Sequence, residues 1–279
     1  MKIIPFDRIH KPKHKDYLGW MGHNPNIEVL DSGAALADFI WYCACGDGPD
    51  LEEDLRRTQD CGKPVISITL GDADYSHCLS LENQRLHFST MSPDWDRCVP
   101  YLYDDRQCQE IVGGGFVAVF IGSFKTNPAR ACMKPLAAND VVIEESDWWA
   151  NPEQHAALRK RHLKLMSASS FTLCPRGIGR SSMRLVEAML CNSIPIMIDD
   201  QTRLFGQELG EFCLWSGMKT EDIAHAIEVA RTMETSEYWR RCHTMVRFLD
   251  DFLRVDHNAG CTGTIGYSEY IRRYVQAKP

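Results

Sequence analysis

The chain has 279 residues, more than one small core requires and enough for two α/β domains of about 100–200 residues each. Apolar residues make up 44% and charged residues 25%, which suits a chain folded throughout and excludes a long disordered tail. A formal net charge of -7 argues against nucleic acid as a partner, because holding phosphates needs a concentrated basic surface.

No apolar run reaches the roughly 18 residues of a membrane span, and Met1 to Asp16 lacks the apolar centre of a secretory signal, so a cytoplasmic protein with no membrane span is expected. The 12 cysteines are scattered, which points to reduced thiols rather than a disulfide framework. Cys43 and Cys45 form a lone C-x-C without a second pair at zinc-finger spacing, so buried packing is preferred to a zinc site. The basic run Lys11, Lys13, Lys15, with His10 and His14 interleaved, reads as a solvated loop.

In chain order, Lys2 to Phe6 opens the amino-terminal part, and Phe39 to Cys43 reads as a strand. Pro49 to Asp60 carries acidic residues in its first turn and arginines later, which predicts a helix. Pro64 to Leu70 is a β-branched run between Pro64 and Gly71, the pattern of a buried parallel strand running into Asp72 and Asp74. Arg85 to Ser89 and Val99 to Tyr103 predict further short strands. Ile111 to Gly115 (IVGGG) marks a flexible join and the domain boundary.

The second half alternates more regularly. Strands are predicted over Phe116 to Ile121, Val141 to Glu144, Ser170 to Cys174 and Ile194 to Ile198. Helices are predicted over Pro128 to Ala138, Glu153 to Ser167 and Ser182 to Leu190. This rhythm implies a parallel sheet with helices on both faces and ligands beyond the carboxyl ends of its strands. Glu221 to Met233 and Glu237 to Val255 follow as amphipathic helices.

The most informative loop leads from Cys174 into the Ser182 helix. Gly177 and Gly179 permit a tight turn and close approach to a ligand, and Ser181 or Ser182 would cap a helix whose free N–H groups favour phosphate. Arg176, Arg180 and Arg184 gather positive charge there, which matches a diphosphate. Glu187, three residues after Arg184, is placed to accept hydrogen bonds from both ribose hydroxyls, or else to pair with Arg184. Asp199-Asp200 ends a strand, where capping the next loop is preferred to metal binding.

The stretches Ser170-Phe-Thr-Leu-Cys-Pro-Arg-Gly, Ser182-Met-Arg-Leu-Val-Glu-Ala-Met and Ile194-Pro-Ile-Met-Ile resemble the signature of the exostosin family of glycosyltransferases. Phe120-Ile-Gly-Ser with Arg130 upstream, and Leu204-Phe-Gly with Trp215 downstream, extend the resemblance over residues 116 to 216. One departure is Asn192, where a small residue such as glycine is usual. The resemblance implies a GT-B architecture, two Rossmann-like α/β domains whose parallel sheets face a central cleft. Residues 1–112 would bind the acceptor and 113–258 the nucleotide-sugar donor, with 259–279 packing back on the first domain. It also implies a UDP-sugar donor, no cofactor, no catalytic metal, and inverting transfer to a hydroxyl of a glycan or glycoconjugate acceptor. Small xylose-transferring relatives put xylose narrowly ahead of glucuronic acid, galactose and N-acetylglucosamine.

Inverting transfer needs a base for the acceptor hydroxyl and positive charge for the departing diphosphate. Arg176, Arg184 and Arg130 answer the second need. Asp72 and Asp74, with His77 third, are the candidate bases, although aspartates after a strand are also ordinary turn formers. Gly122, Ser123, Glu144, Asp147 and Trp148 lie at strand ends suited to the donor base or sugar. Trp148 and Trp149 could offer a flat platform for uracil or a sugar ring, although paired tryptophans are more often partly buried packing. Two other readings are a GDP-sugar, fucosyltransferase-like enzyme and a non-catalytic glycan-binding protein of the same fold.

Overall fold

Short β-branched runs form parallel strands in both halves of the chain. The computed structural model describes residues 1–5, 26–45, 53–54, 57, 62–70, 86–89, 115–146, 155–177, 182–198, 209–249, 272 and 276. The chain divides into two compact units, Met1–Leu102 together with Asp250–Pro279, and Tyr103–Leu249.

The first unit holds β1 (Lys2–Pro5), β2 (Glu28–Val29), β3 (Phe39–Cys45), β4 (Val65–Leu70) and β5 (Leu86–Ser89). They form one sheet in the order β2-β1-β3-β4-β5, parallel at every pairing. The β3 to β4 register runs from Ile40 opposite Val65 to Cys45 opposite Leu70. Ile3, Ile4, Ile40, Trp41, Val65, Ile66 and Ile68 are buried, as expected for strands covered on both faces. Within the predicted helix over Pro49 to Asp60, Glu53, Asp54 and Arg57 are helical, and Arg57 pairs with Glu53 one turn earlier. The strand predicted over Val99 to Tyr103 lies outside the described residues.

The second unit contains β6 (Phe116–Gly122), β7 (Val141–Glu145), β8 (Ser169–Pro175), β9 (Ile194–Ile198) and β10 (Leu214–Ser216). Its helices are α1 (Pro128–Met133), α2 (His155–Ser167), α3 (Met183–Leu190), α4 (Thr220–Arg231) and α5 (Thr235–Phe248). The strand order is β10-β9-β8-β6-β7, again wholly parallel. Counted from each unit's own first strand, both sheets have the order 2-1-3-4-5. Each is a Rossmann-like doubly wound sheet whose order reverses between its first and third strands.

Side chains alternate along β6 because successive residues face opposite sides of a sheet. Ala118 and Phe120 join one core cluster with Phe171, Leu173, Ile194, Ile196 and Ile198, closed by Ala129 and Met133 of α1 and Ile223, Ala226, Ile227 and Ala230 of α4. Helices α2 and α3 pack on β8, and Leu163, Met166, Leu185, Val186, Ala188 and Met189 are buried there.

One boundary and two short strands differ from expectation for identifiable reasons. The helix predicted over Pro128 to Ala138 ends at Met133 and tightens into a 3-10 turn, Lys134–Leu136, since Pro135 has no N–H to continue the α-helical ladder. Its start is set by Asn127, whose side chain accepts from Ala129 N at 3.0 Å, with Pro128 at the first helical position. Strands β2 and β10, only 2 and 3 residues long, are too short for periodicity to show.

Helix α3 closes through a left-handed residue. Asn192 has φ 55, its N–H donates to Met189 O at 3.0 Å, and that of Ser193 donates to Ala188 O at 2.9 Å. These are the two bonds of a Schellman cap, which accounts for asparagine standing where glycine is usual.

Candidate functional site

In a sheet of this order, the crevice for a ligand opens where the strand sequence reverses. In the second unit that point lies between β6 and β8, so the segments after Gly122 and after Pro175 border it. Both are tied by one side chain. Arg130 of α1 donates from Nη1 to Ser123 O at 3.1 Å, from Nε to Arg176 O at 3.1 Å and from Nη2 to Pro175 O at 3.5 Å. Most of its donor capacity is therefore spent on backbone carbonyls, and it holds the two loops at a fixed spacing. Burial, with Arg184 nearby, lowers its pKa to about 10.

Arg184 stands differently. It is 9% exposed, and its Nε and Nη1 are buried with no hydrogen-bond partner among the described residues. Its guanidinium carbon lies 4.9 Å from the centre of the Phe120 ring, and that of Arg130 lies 5.6 Å from the same ring. An aromatic ring attracts each cation but supplies no charge to neutralise two of them. Burial lowers the Arg184 pKa, and Glu187 opposes that shift. Glu187 is itself 2% exposed, one helical turn along α3.

Two glycines make room for these cations. A Cβ on Gly122 would stand 2.9 Å from Arg184 Nη1, and a Cβ on Gly177 would stand 3.3 Å from Arg130 Nη2. Any side chain at position 122 would have to displace the guanidinium. Ser182 is the N-cap of α3, accepting from Arg184 N at 3.3 Å. The cap orders the first helical turn, from which Arg184 projects.

Among the other expected site residues, Ser123 lies at the carboxyl end of β6 and accepts from Lys125 N through its hydroxyl at 3.3 Å. Glu144 is engaged by both terminal nitrogens of Arg161, at 2.5 and 2.7 Å, so its carboxylate is committed to an ion pair at the end of β7. Arg176 is half-buried beyond β8, its carbonyl held by Arg130. Arg180, Ser181, Asp147, Trp148 and the candidate bases Asp72, Asp74 and His77 lie outside the described residues, as do Asp199 and Asp200. Among the described residues no group of three or more His, Cys, Asp or Glu side chains could hold a metal ion. Cys132, Cys174, Cys191, Cys213 and Cys242 are thiols.

Sequence reasoning passed over His162. It is buried on α2 and lines a small cavity with Ile121, Gly122, Ser146, Leu158 and Arg184. A signal was present: His162 falls four residues after Leu158 and four before Met166, on the helix's apolar face, where a polar residue is out of place.

Residues 112–213 match the family model described as the RXYLT1 C-terminal domain. No curated protein sequence matches the chain. Among solved structures, HepE from Anabaena in complex with UDP superposes with a TM-score of 0.50 at 10% identity, over 88% of this chain and 80% of that one. The same protein with UDP-glucose gives 0.49 at 10% identity, over 99% and 100%. An alpha1,3-fucosyltransferase gives 0.43 at 10% identity, over 98% and 88%. The fold is α/β, with two Rossmann-like parallel sheets of the kind found in GT-B glycosyltransferases. Among the described residues no helix is long and apolar enough to cross a membrane.

Proposed function

We propose that the chain is a glycosyltransferase that binds a UDP-sugar in its second unit and transfers the sugar to a hydroxyl of a glycan or glycoconjugate. The observation that carries this reading is Arg184, a buried guanidinium whose Nε and Nη1 have no hydrogen-bond partner among the described residues, beside a second arginine at the switch point of a Rossmann-like sheet. A buried cation short of partners is costly, and a diphosphate supplies both the charge and the acceptor oxygens it lacks. The match to the RXYLT1 C-terminal domain over residues 112–213 falls on this same half, as does the exostosin resemblance read from the sequence.

In this reading Arg184 and Arg176, with the α3 N-terminus capped by Ser182 and the neighbouring Arg180 and Ser181, hold the diphosphate. Arg130 positions the loops that frame it. Glu187 takes the ribose hydroxyls, and Gly122, Ser123, Asp147 and Trp148 border the base or sugar. Glu144 shapes that border through its pair with Arg161. Cationic stabilisation of the departing diphosphate makes a metal dispensable, so the transfer is read as metal-independent, with no cofactor beyond the donor, and inversion is what the exostosin resemblance implies. Asp72, Asp74 or His77 would take the proton of the acceptor hydroxyl. Xylose stands first among donors.

A thermal-shift and calorimetric screen with UDP, UDP-xylose, UDP-glucose and GDP-fucose tests this. UDP-sugars should stabilise and bind, GDP-fucose should not, and slow hydrolysis of the preferred donor should follow. Asp72→Asn or Asp74→Asn should keep UDP affinity yet lose transfer. A chain that binds none of the UDP compounds would overturn the reading.

A further inference from the structure

Arg184 answers to a negative charge, but a second polar group is buried at the same cavity. His162 is 5% exposed, and its Nε2 has no hydrogen-bond partner among the described residues. The cavity it shares with Arg184 is walled by Ile121 and Gly122 at the end of β6, by Ser146 just after β7 and by Leu158 of α2. An imidazole nitrogen and two guanidinium nitrogens, all buried and all without hydrogen-bond partners among the described residues, are costly to keep at one cavity. Oxygens of an entering ligand would relieve that cost for both side chains.

We propose that His162 is a second binding residue for the anionic group that Arg184 receives, and that it takes up a proton as that group enters. The inference rests on the diphosphate reading above and deepens it, because it couples donor binding to protonation of a named side chain. The proton passes from solvent to His162 Nε2, which then donates to a phosphate oxygen, and no covalent bond forms or breaks.

The charges around His162 give the direction. Helix α3 presents Arg184, with Glu187 one turn on, and α2 itself presents Arg159. Among the described residues, the end of β6 brings Ile121 and Gly122 to the cavity and the segment after β7 brings Ser146. Burial, then Arg184 and Arg159, holds the His162 pKa well below the usual histidine value, so the imidazole is neutral before binding. A diphosphate offsets the repulsion from both arginines and favours the imidazolium. Donor affinity should therefore rise as pH falls through the raised bound-state pKa.

Calorimetry of UDP-xylose and UDP-glucose in buffers of different ionisation enthalpy reads the coupling directly, since a sugar-capped diphosphate has no group of its own titrating near neutrality. The wild type should take up a fraction of a proton near pH 6.5, the ordinary histidine range, and essentially none two to three pH units higher. His162→Gln keeps a polar side chain that does not titrate. It should bind roughly tenfold more weakly and take up no proton. Binding by the wild type without proton uptake, or equal uptake by His162→Gln, would overturn the assignment and leave the diphosphate reading standing. Failure of the wild type to bind either UDP-sugar would overturn both. The wild-type measurement decides the matter even where the variant does not fold.

Discussion

Gly122 and Arg184 occupy one place in the second unit: a Cβ on the glycine would stand 2.9 Å from Nη1 of the arginine and 3.2 Å from the Phe120 ring. The guanidinium packs against that ring and borders a small cavity, so a methyl at position 122 would move it off its present place. Gly122→Ala should push Arg184 out of position and lower UDP affinity tenfold or more, about 1.4 kcal/mol. The same crowding should cost about 1–3 kcal/mol of stability. Calorimetry and chemical denaturation measure the two effects, and an alanine variant that binds UDP as the wild type does would remove Arg184 from the site.

Arg130 and Arg184 should respond oppositely to truncation, although both are buried arginines beside Phe120. Arg130 satisfies three backbone carbonyls that border the switch point, and buried acceptors left unsatisfied cost about 1–3 kcal/mol each. Arg130→Met should therefore destabilise by several kcal/mol and weaken UDP binding only as the loops loosen. Arg184→Met removes a buried cation whose Nε and Nη1 have no hydrogen-bond partner among the described residues. Removing it spares the desolvation of that charge but leaves Glu187, itself buried, without the cation beside it. Arg184→Met should therefore abolish UDP binding while changing stability less than Arg130→Met does. Equal loss of stability in the two variants would contradict this division of roles.

The second unit was more legible in sequence than its site. The β-branched runs Phe116 to Ile121 and Ile194 to Ile198, and the Ser182 cap, announce their elements through periodicity and capping chemistry. The charges of Arg184 and Glu187 are equally plain. Periodicity cannot say which guanidinium is spent on carbonyls and which is left over, because that depends on loops brought together across a strand order no local pattern encodes. Arg130 and Arg184 read alike in the chain and differ only once β6 and β8 are neighbours. Glu144 illustrates the same limit, since its partner Arg161 lies 17 residues away on α2. In the first unit, β4 was visible from its composition, whereas β2, with two residues paired to β1, carries no pattern to read.

Asn192 offers a test confined to the backbone. At φ 55 a residue with a Cβ pays a left-handed penalty of about 1–2 kcal/mol, which asparagine partly offsets and glycine avoids. Asn192→Gly should be neutral to slightly stabilising, and Asn192→Ala should lose about 1 kcal/mol by urea denaturation. UDP affinity should hold in both, because the cap lies at the end of α3 opposite Arg184. A loss of binding in the glycine variant would give the Asn192 side chain a role beyond capping.

Stability should also depend on pH through His162. Burial, then Arg184 and Arg159, depresses its folded-state pKa well below the ordinary value of 6.5. Between that depressed value and about 6.5 the unfolded chain binds a proton that the folded chain does not, so unfolding becomes more favourable as pH falls. The contribution is complete above about pH 6.5 and is lost as pH falls below it, at no more than about 1.4 kcal/mol per pH unit for one proton. Glu237 titrates elsewhere. Its hydrogen bond from Arg240, aided by Arg241, holds its pKa at about 2, so its contribution is lost only as pH falls from the ordinary value of 4.5 toward 2. The difference between wild type and His162→Gln in urea midpoint, followed from pH 7.5 down to about pH 5, isolates the histidine. That difference should shift steadily in favour of the glutamine variant as the solution becomes more acidic. With saturating UDP-xylose the shift should shrink, because the ligand's charge would let the folded imidazole accept its proton. A difference independent of pH would mean that His162 titrates normally despite its burial, and would remove the physical basis for coupling its protonation to donor binding.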